Sequence, residues 1–281
     1  MATFGIAGCS GTGTEDGAGE PDAHIVNRIH TTDLAFPLDA YRLSPEEDMV
    51  LEQAIDALTA TCMTRFGIQY KTAPPQSPTG QSRSRLYGVT EEREASVYGY
   101  RNPERRASGT SKKPTRTPVE NAVLLGEVAT HAGKNVPEGG CAAEASKVIL
   151  SGPNKVKNIR LADNLIFASS AKTEEDSRVQ GVFKKWSACM KESGYSYASP
   201  VAVLEDGKIF ASPTPDSRET NMAVADVRCK KKYNVVGVWS SVEMAYQSAA
   251  IEQNAEDLKD IKENLRHAVL TANDAMAGRT A

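Results

Sequence analysis

The sequence predicts a mainly α-helical protein: two related helical halves, each stapled by a disulfide, with a long C-terminal helix and extended loops. Three observations carry that expectation. Apolar residues recur at spacings of three and four along several stretches, the period of one helix face. Residues that start and stop helices bracket those stretches. The end of one such helix in the first half, Ala60 to Tyr70, has a counterpart in the second, Ser187 to Tyr197.

Residues 1 to 9 read as a truncated signal peptide. The tetrad Ile6-Ala7-Gly8-Cys9 resembles a bacterial lipobox, in which an aliphatic and two small residues precede a cysteine. Small residues fit a signal-peptidase cleft, and the cysteine thiol becomes the point of diacylglycerol attachment. Only Ala2 to Ala7 precede the box, without Lys or Arg, so the basic and apolar parts of a full signal are missing. Residues 10 to 40 are expected to form a flexible tether, glycine-rich at its start. Cysteine arithmetic agrees with a lipid on Cys9. Of five cysteines, removing Cys9 leaves the even set Cys62, Cys141, Cys189 and Cys229. Outside the cytoplasm four cysteines usually form two disulfides, and three connectivities are open.

The first helical half is expected over residues 41 to 170. Ser44-Pro45-Glu46-Glu47 is a capping box with proline at the first helical position. Leu51, Ile55, Leu58, Cys62 and Phe66 then share one face, and Gly67 is placed to end the helix in a left-handed cap. Residues 71 to 118 form a basic loop carrying Arg83, Arg85, Arg93, Arg101, Arg105, Arg106, Lys112, Lys113 and Arg116, with Tyr87, Tyr98 and Tyr100 among them. It reads as a solvated loop partly neutralised by Glu91, Glu92, Glu94 and Glu104; the other reading is a contact surface for anionic headgroups or cell-wall polymer. A short helix fits Thr90 to Tyr98. A further helix is expected from Thr117 to Ala129, then a loop from His131 to Gly140, then a helix from Cys141 to Leu150 that Ser151-Gly152-Pro153-Asn154 ends. The stretch holding Leu161, Leu165, Ile166 and Phe167 has no assignable period.

The second half is expected over residues 171 to 281. Thr173-Glu174-Glu175-Asp176 resembles a helix start. Val179, Val182, Phe183, Trp186, Cys189 and Met190 form its apolar stripe, and Gly194 its stop. Thr214 and Pro215 start another helix, with Met222, Ala225 and Cys229 on one face. One long helix is expected from Val235 to Ala275. Its two apolar stripes fall out of phase near Asn254, so its second half is expected to pack on a partner or on the protein's own N-terminal part.

The two similar strings share C-M-x-x-x-G-x-x-Y. Each half then reads as a helix carrying Cys-Met, a connection, and a second helix carrying the partner cysteine. That favours Cys62–Cys141 and Cys189–Cys229. The second would close a loop worth roughly 3–4 kcal/mol in the chain-entropy account.

Trp186-x-x-Cys189-Met190-x-x-x-Gly194, followed by Ala223-Val224-Ala225-Asp226-Val227-x-Cys229 and by Trp239, Glu243 and Tyr246-Gln247, resembles a group of actinomycete envelope lipoproteins. The likeness covers roughly residues 180 to 260. It implies a location and a disulfide framework and brings no catalytic residues with it.

Composition limits the function classes. Charged residues are 25% and the formal net charge is −3, which gives no reason to expect nucleic acid as a partner. Aromatics are 6%, so the core is expected to rest on aliphatic residues and alanine. No apolar run is long enough to span a bilayer. His24, His30, His131 and His267 stand in no metal-ligand pattern, and no nucleophile elbow, P-loop or dinucleotide fingerprint occurs. No catalytic, metal or cofactor residue is therefore assigned. Asp226 and Glu243 are the carboxylates to inspect, each among apolar residues where a lone charge is costly. The expected function is a membrane-anchored extracytoplasmic lipoprotein, acting as a non-catalytic binding or accessory protein of an envelope or transporter complex. The membrane is reached through the lipid, and an envelope protein partner through the C-terminal helix. A carboxylate-dependent cell-wall hydrolase and a structural spacer are the alternatives.

Overall fold

The computed structural model describes residues 19–31, 34–72, 85–103 and 114–279. Cys9 and the lipobox lie outside them, as do Arg83, Arg105, Arg106, Lys112 and Lys113 of the basic loop. The protein is mainly helical, with ten α-helices among the described residues. In chain order they are α1 (Pro45–Arg65), α2 (Glu92–Tyr98), α3 (Pro118–Leu125), α4 (Gly140–Leu150), α5 (Leu161–Glu175), α6 (Ser177–Glu192), α7 (Pro200–Leu204), α8 (Ser217–Lys232), α9 (Val235–Gln253) and α10 (Ala255–Met276). A 3-10 turn covers Pro37–Tyr41. The described strands form one antiparallel pair, β1 (Thr130–His131) and β2 (Lys134–Asn135).

Local chemistry explains most helix ends. Ser44 accepts the Glu47 amide at 3.2 Å while Glu47 accepts the Ser44 amide at 2.8 Å, which satisfies two of the orphan donors that open α1. Thr117 and Glu120 do the same for α3. That helix stops earlier than Ala129, at Leu125, because Gly126 takes a left-handed cap with φ of +73°. A Cβ there would strike the Gly140 backbone, so the glycine lets the end of α3 meet the start of α4. The loop after it holds the small hairpin, turned by Ala132 and Gly133, both at positive φ.

Further expected boundaries are displaced. Thr214 and Pro215 precede α8, which starts instead behind Asp216, whose carboxylate accepts the Glu219 amide at 2.8 Å. Thr173 does not start a helix; it lies in the last turn of α5, where its hydroxyl donates to the Ser169 carbonyl at 2.7 Å. The start falls at Asp176, whose carboxylate accepts the Arg178 amide at 2.9 Å. The expected helix from Val235 to Ala275 is two helices. Asn254 leaves the helical region, and its side chain donates to the Ala250 carbonyl at 2.8 Å. The break lets each apolar stripe face its own core, which resolves the phase conflict. The stripe of α10 (Leu258, Ile261, Ala268 and Ala272) is buried against α1, α4 and the 3-10 turn.

Burial gathers into one large core and three smaller ones. The large core joins α6, α8 and α9 with α2 and α7, and holds Trp186, Phe183 and Trp239. Trp239 sits 4.7 Å from Tyr87 and edge-on at 4.8 Å from Phe183, ring centre to ring centre. Both tryptophans and most of the buried aromatics lie here, so this core does not rest on aliphatic residues and alanine alone. A second cluster surrounds Cys62–Cys141, a third joins α1, α4 and α10, and a fourth joins the 3-10 turn to α5 and α10.

The described part of residues 10 to 40 is not a free tether. Leu34, Phe36 and Leu38 are buried, and the chain before them is a strap bonded to the body. The Val26 amide donates to Ser241 at 3.2 Å, the Arg28 amide to Asn234 Oδ1 at 2.9 Å, and Asn234 Nδ2 to the Val26 carbonyl at 2.9 Å. Glu20 accepts from both the amide and the hydroxyl of Ser177, at 2.6 and 2.7 Å, at the start of α6. The boundary between halves at residue 170 is likewise crossed: α10 packs on α1 and α4, and α9 on α5.

Candidate functional site

The repeated string is a repeated structure. In each copy the Cys-Met pair is buried near the end of a helix, in α1 and in α6. Gly67 and Gly194 both take left-handed φ, +71° and +89°. The residue after each glycine returns to the methionine carbonyl: Ile68 to Met63 at 3.2 Å and Tyr195 to Met190 at 2.9 Å. That is the same helix-ending motif twice. The tyrosine that closes each copy donates to a carboxylate, Tyr70 to Asp56 at 3.3 Å and Tyr197 to Asp206 at 2.9 Å.

Two disulfides staple these ends. Cys62–Cys141 joins α1 to the start of α4, with Cα atoms 5.5 Å apart. Cys189–Cys229 joins α6 to the last turn of α8, with Cα atoms 5.8 Å apart. The connectivity is the one the repeat favours. The halves differ in where the second cysteine sits, at the beginning of one helix and near the end of another.

Beside each disulfide lies a shallow depression. One of about 400 Å³ is bounded by Arg65, Phe66, Lys134 and Glu144. Its cations are already engaged: Arg65 meets Glu144 at 2.6 Å, and Lys134 donates to the Arg65 carbonyl at 2.8 Å. The other, of about 370 Å³, lies over Cys189 and Cys229 and is bounded by Tyr195, Asn221, Arg228 and Lys232. Its side chains can donate hydrogen bonds to an anionic or carbonyl group. Neither a histidine nor a carboxylate lines it, and Arg228 is held by Glu92 at 3.1 Å.

Asp226 and Glu243 are brought into the large core, and neither lines these depressions. Asp226 accepts from Trp186 Nε1 at 2.8 Å and from Lys230 Nζ at 2.9 Å, and Lys230 donates also to the Val89 carbonyl at 3.2 Å. Burial pushes the Asp226 carboxyl upward, against the opposing pull of Lys230. The pair lies 3% and 1% exposed, and two such charges are tolerable inside only because each is matched. Glu243 accepts from the Tyr87 hydroxyl at 2.6 Å, and Gln247 Nε2 reaches its other oxygen at 3.4 Å. Gln247 in turn accepts the Leu38 amide at 3.2 Å. Burial pushes the Glu243 carboxyl upward too. These carboxylates hold elements together: one ties α6 to α8 and the segment around Val89, the other ties α9 to Tyr87 and the strap.

Two arginines of the basic loop, Arg85 and Arg101, do similar work. Arg101 is ion-paired with the buried Glu219 and donates to the Ile209 and Ser212 carbonyls at 3.0 and 2.7 Å. Arg85 meets Glu94 at 2.9 Å, and Tyr87 and Tyr100 are buried. Sequence inspection does not reveal these partners, since Glu219 lies 118 residues from Arg101. His30 pairs with Glu91, and among the described residues no three His, Cys, Asp or Glu side chains gather as a metal cluster. No described helix is long and apolar enough to cross a membrane. The chain matches no protein-family model, no curated protein and no solved structure, so a functional reading rests on its residues and their geometry.

Proposed function

We propose that the protein is an extracytoplasmic lipoprotein, anchored by a diacylglyceryl group on Cys9 to the outer face of the cell membrane. It acts there as a non-catalytic binding or accessory protein of an envelope or transporter complex. One observation carries this reading: Cys62, Cys141, Cys189 and Cys229 are consumed in two disulfides, which leaves Cys9, behind Ile6-Ala7-Gly8, as the one cysteine for acylation. Stable disulfides suit an oxidising compartment. The accessory role is supported by buried carboxylates committed to structural bonds. A partner protein would have to dock elsewhere than on the apolar stripe of α10, which is covered by α1 and α4.

Intact-mass analysis of protein expressed with a complete signal sequence and extracted from membranes tests the anchor. The expected result is an added diacylglyceryl mass on a chain starting at Cys9, with no thiol alkylated before reduction and four alkylated after it. A free Cys9 thiol in a chain that fractionates away from membranes would sink the proposal.

A further inference from the structure

The two most exposed large hydrophobic side chains among the described residues lie close together in sequence. Phe167 is 81% and Ile159 72% exposed, whereas every other such residue is at 56% or below. Scattered apolar exposure is ordinary, but two extremes within nine residues are a local feature. Three exposed cations precede them on the chain or lie between them: Lys155, Lys157 and Arg160. None of the three is ion-paired among the described residues. Of the neighbouring acids, Asp163 is engaged by Arg42 at 2.9 Å and Glu263 by the Asn154 side chain at 2.9 Å. Arg160 and Phe167 are seven residues apart, two turns, and so fall along one line of the helix.

The surface is held in shape. Val156 packs into the fourth core cluster with Leu165 and Ile166. Asn154 is clamped by Asn264, whose Oδ1 accepts the Asn154 amide at 3.0 Å and whose Nδ2 donates to its carbonyl at 2.9 Å. The loop leading into α5 therefore presents its lysines and Ile159 from a fixed base.

We propose that the N-terminal half of α5, with the loop from Lys155 to Arg160, is a docking face for the surface of an anionic phospholipid bilayer. Phe167 and Ile159 enter the headgroup boundary while the lysines and Arg160 meet the phosphates, as amphipathic membrane-binding surfaces do. The inference rests on the lipoprotein reading for its geometry. The strap is fixed by Glu20 to Ser177, just past the end of α5, whose run from Phe167 to Glu175 rises about 12 Å. Cys9 lies eleven residue steps before Glu20, a stretch that can reach at most ~40 Å. A lipid on Cys9 can thus enter the same bilayer that Phe167 touches. Glu174 and Glu175 lie at the opposite end of α5 from Arg160, next to the strap's bond to Ser177. The protein as a whole carries a formal charge of −3, which would keep it off an anionic surface without such a local patch.

The test uses the full chain with Cys9→Ser, which cannot be acylated, in flotation with vesicles of phosphatidylglycerol and phosphatidylcholine or of phosphatidylcholine alone. Binding to the anionic vesicles that weakens with salt is expected. Phe167→Ser with Ile159→Ser should reduce it at least about tenfold. Lys155→Gln with Lys157→Gln should reduce it about fivefold per lysine, at an unchanged melting temperature. Absence of binding to anionic vesicles, or binding indifferent to both double variants, overturns the docking face. So does sedimentation showing a dimer that Phe167→Ser dissociates while vesicle binding is absent. Acylation is read separately on the unsubstituted protein. An unmodified Cys9 with vesicle binding retained by Cys9→Ser removes the anchor and keeps the face; an acylated Cys9 without that binding does the reverse.

Discussion

Glu243 shows how one side chain can set a pH response. Its carboxyl is enclosed by Tyr87 and Gln247, with the charges of Glu174 and Asp39 nearby, and burial raises its pKa above the ordinary 4.5. The folded protein then binds the Glu243 proton more tightly than the unfolded chain does. Between the unfolded and folded pKa the folded state holds more protons, so stability falls as pH rises through that window. Below the unfolded pKa both states are protonated and the full advantage of the protonated form is present. Glu243→Gln keeps the shape and removes the titration. Its urea midpoint is expected to exceed that of the wild type at pH 8 and to converge with it toward pH 4. A wild-type minus variant difference that stays flat across that range would show that burial of Glu243 does not drive the response.

At the scale of elements, the helix ends are specified by short-range chemistry and the meeting of two ends by a glycine. Gly126 closes α3 at positive φ and stands against the Gly140 backbone. Gly126→Ala places a Cβ where the next helix begins and strains the left-handed cap, so a loss of roughly 1–3 kcal/mol is expected in denaturant unfolding. Gly67→Ala is the comparison. It shares the left-handed φ but has open space around its Cβ position, so its loss should be smaller. Equal losses would show that backbone conformation, rather than the close approach, governs Gly126. These capping signals were readable in advance because Ser44, Glu47, Thr117 and Glu120 act within four residues of each other. Thr173 misled because its hydroxyl has a second use inside a helix, back-bonding to Ser169.

For the molecule as a whole, each disulfide lies in one core cluster, Cys189–Cys229 in the large core and Cys62–Cys141 in the second, while the other two clusters hold no disulfide. Cys189–Cys229 spans 40 residues of sequence separation and Cys62–Cys141 spans 79. The chain-entropy account assigns roughly 4 kcal/mol to each, out of a typical total of about 5–15 kcal/mol. Replacing Cys189 and Cys229 together by alanine should lower stability by about that amount in urea unfolding while far-ultraviolet dichroism of the folded state stays helical. A change under about 1 kcal/mol would mean that the Trp186, Phe183 and Trp239 core holds α6 to α8 without the bond. The strap and α10 cross between the expected halves, so unfolding should proceed as one transition by both tryptophan fluorescence and dichroism.

Residue order alone carried the helical class, many helix starts and stops and the favoured cysteine pairing, whereas the single helix expected from Val235 to Ala275 is broken at Asn254. The first three follow from residues close in the chain, or from a small set of connectivities narrowed by the repeated Cys-Met helix. Tertiary structure alone decided that residues 19–31 and 34–40 bind the body, that α10 covers α1, and that Asp226, Glu219 and Glu243 are structural. It also exposed Phe167 and Ile159 near Lys155 and Lys157, which make no ion pair among the described residues. Those outcomes depend on partners tens to hundreds of residues away, whose burial no local period reports. The physical reason is the same in each case: a charge or an apolar face is fixed by what surrounds it, and only the packed chain supplies the surroundings.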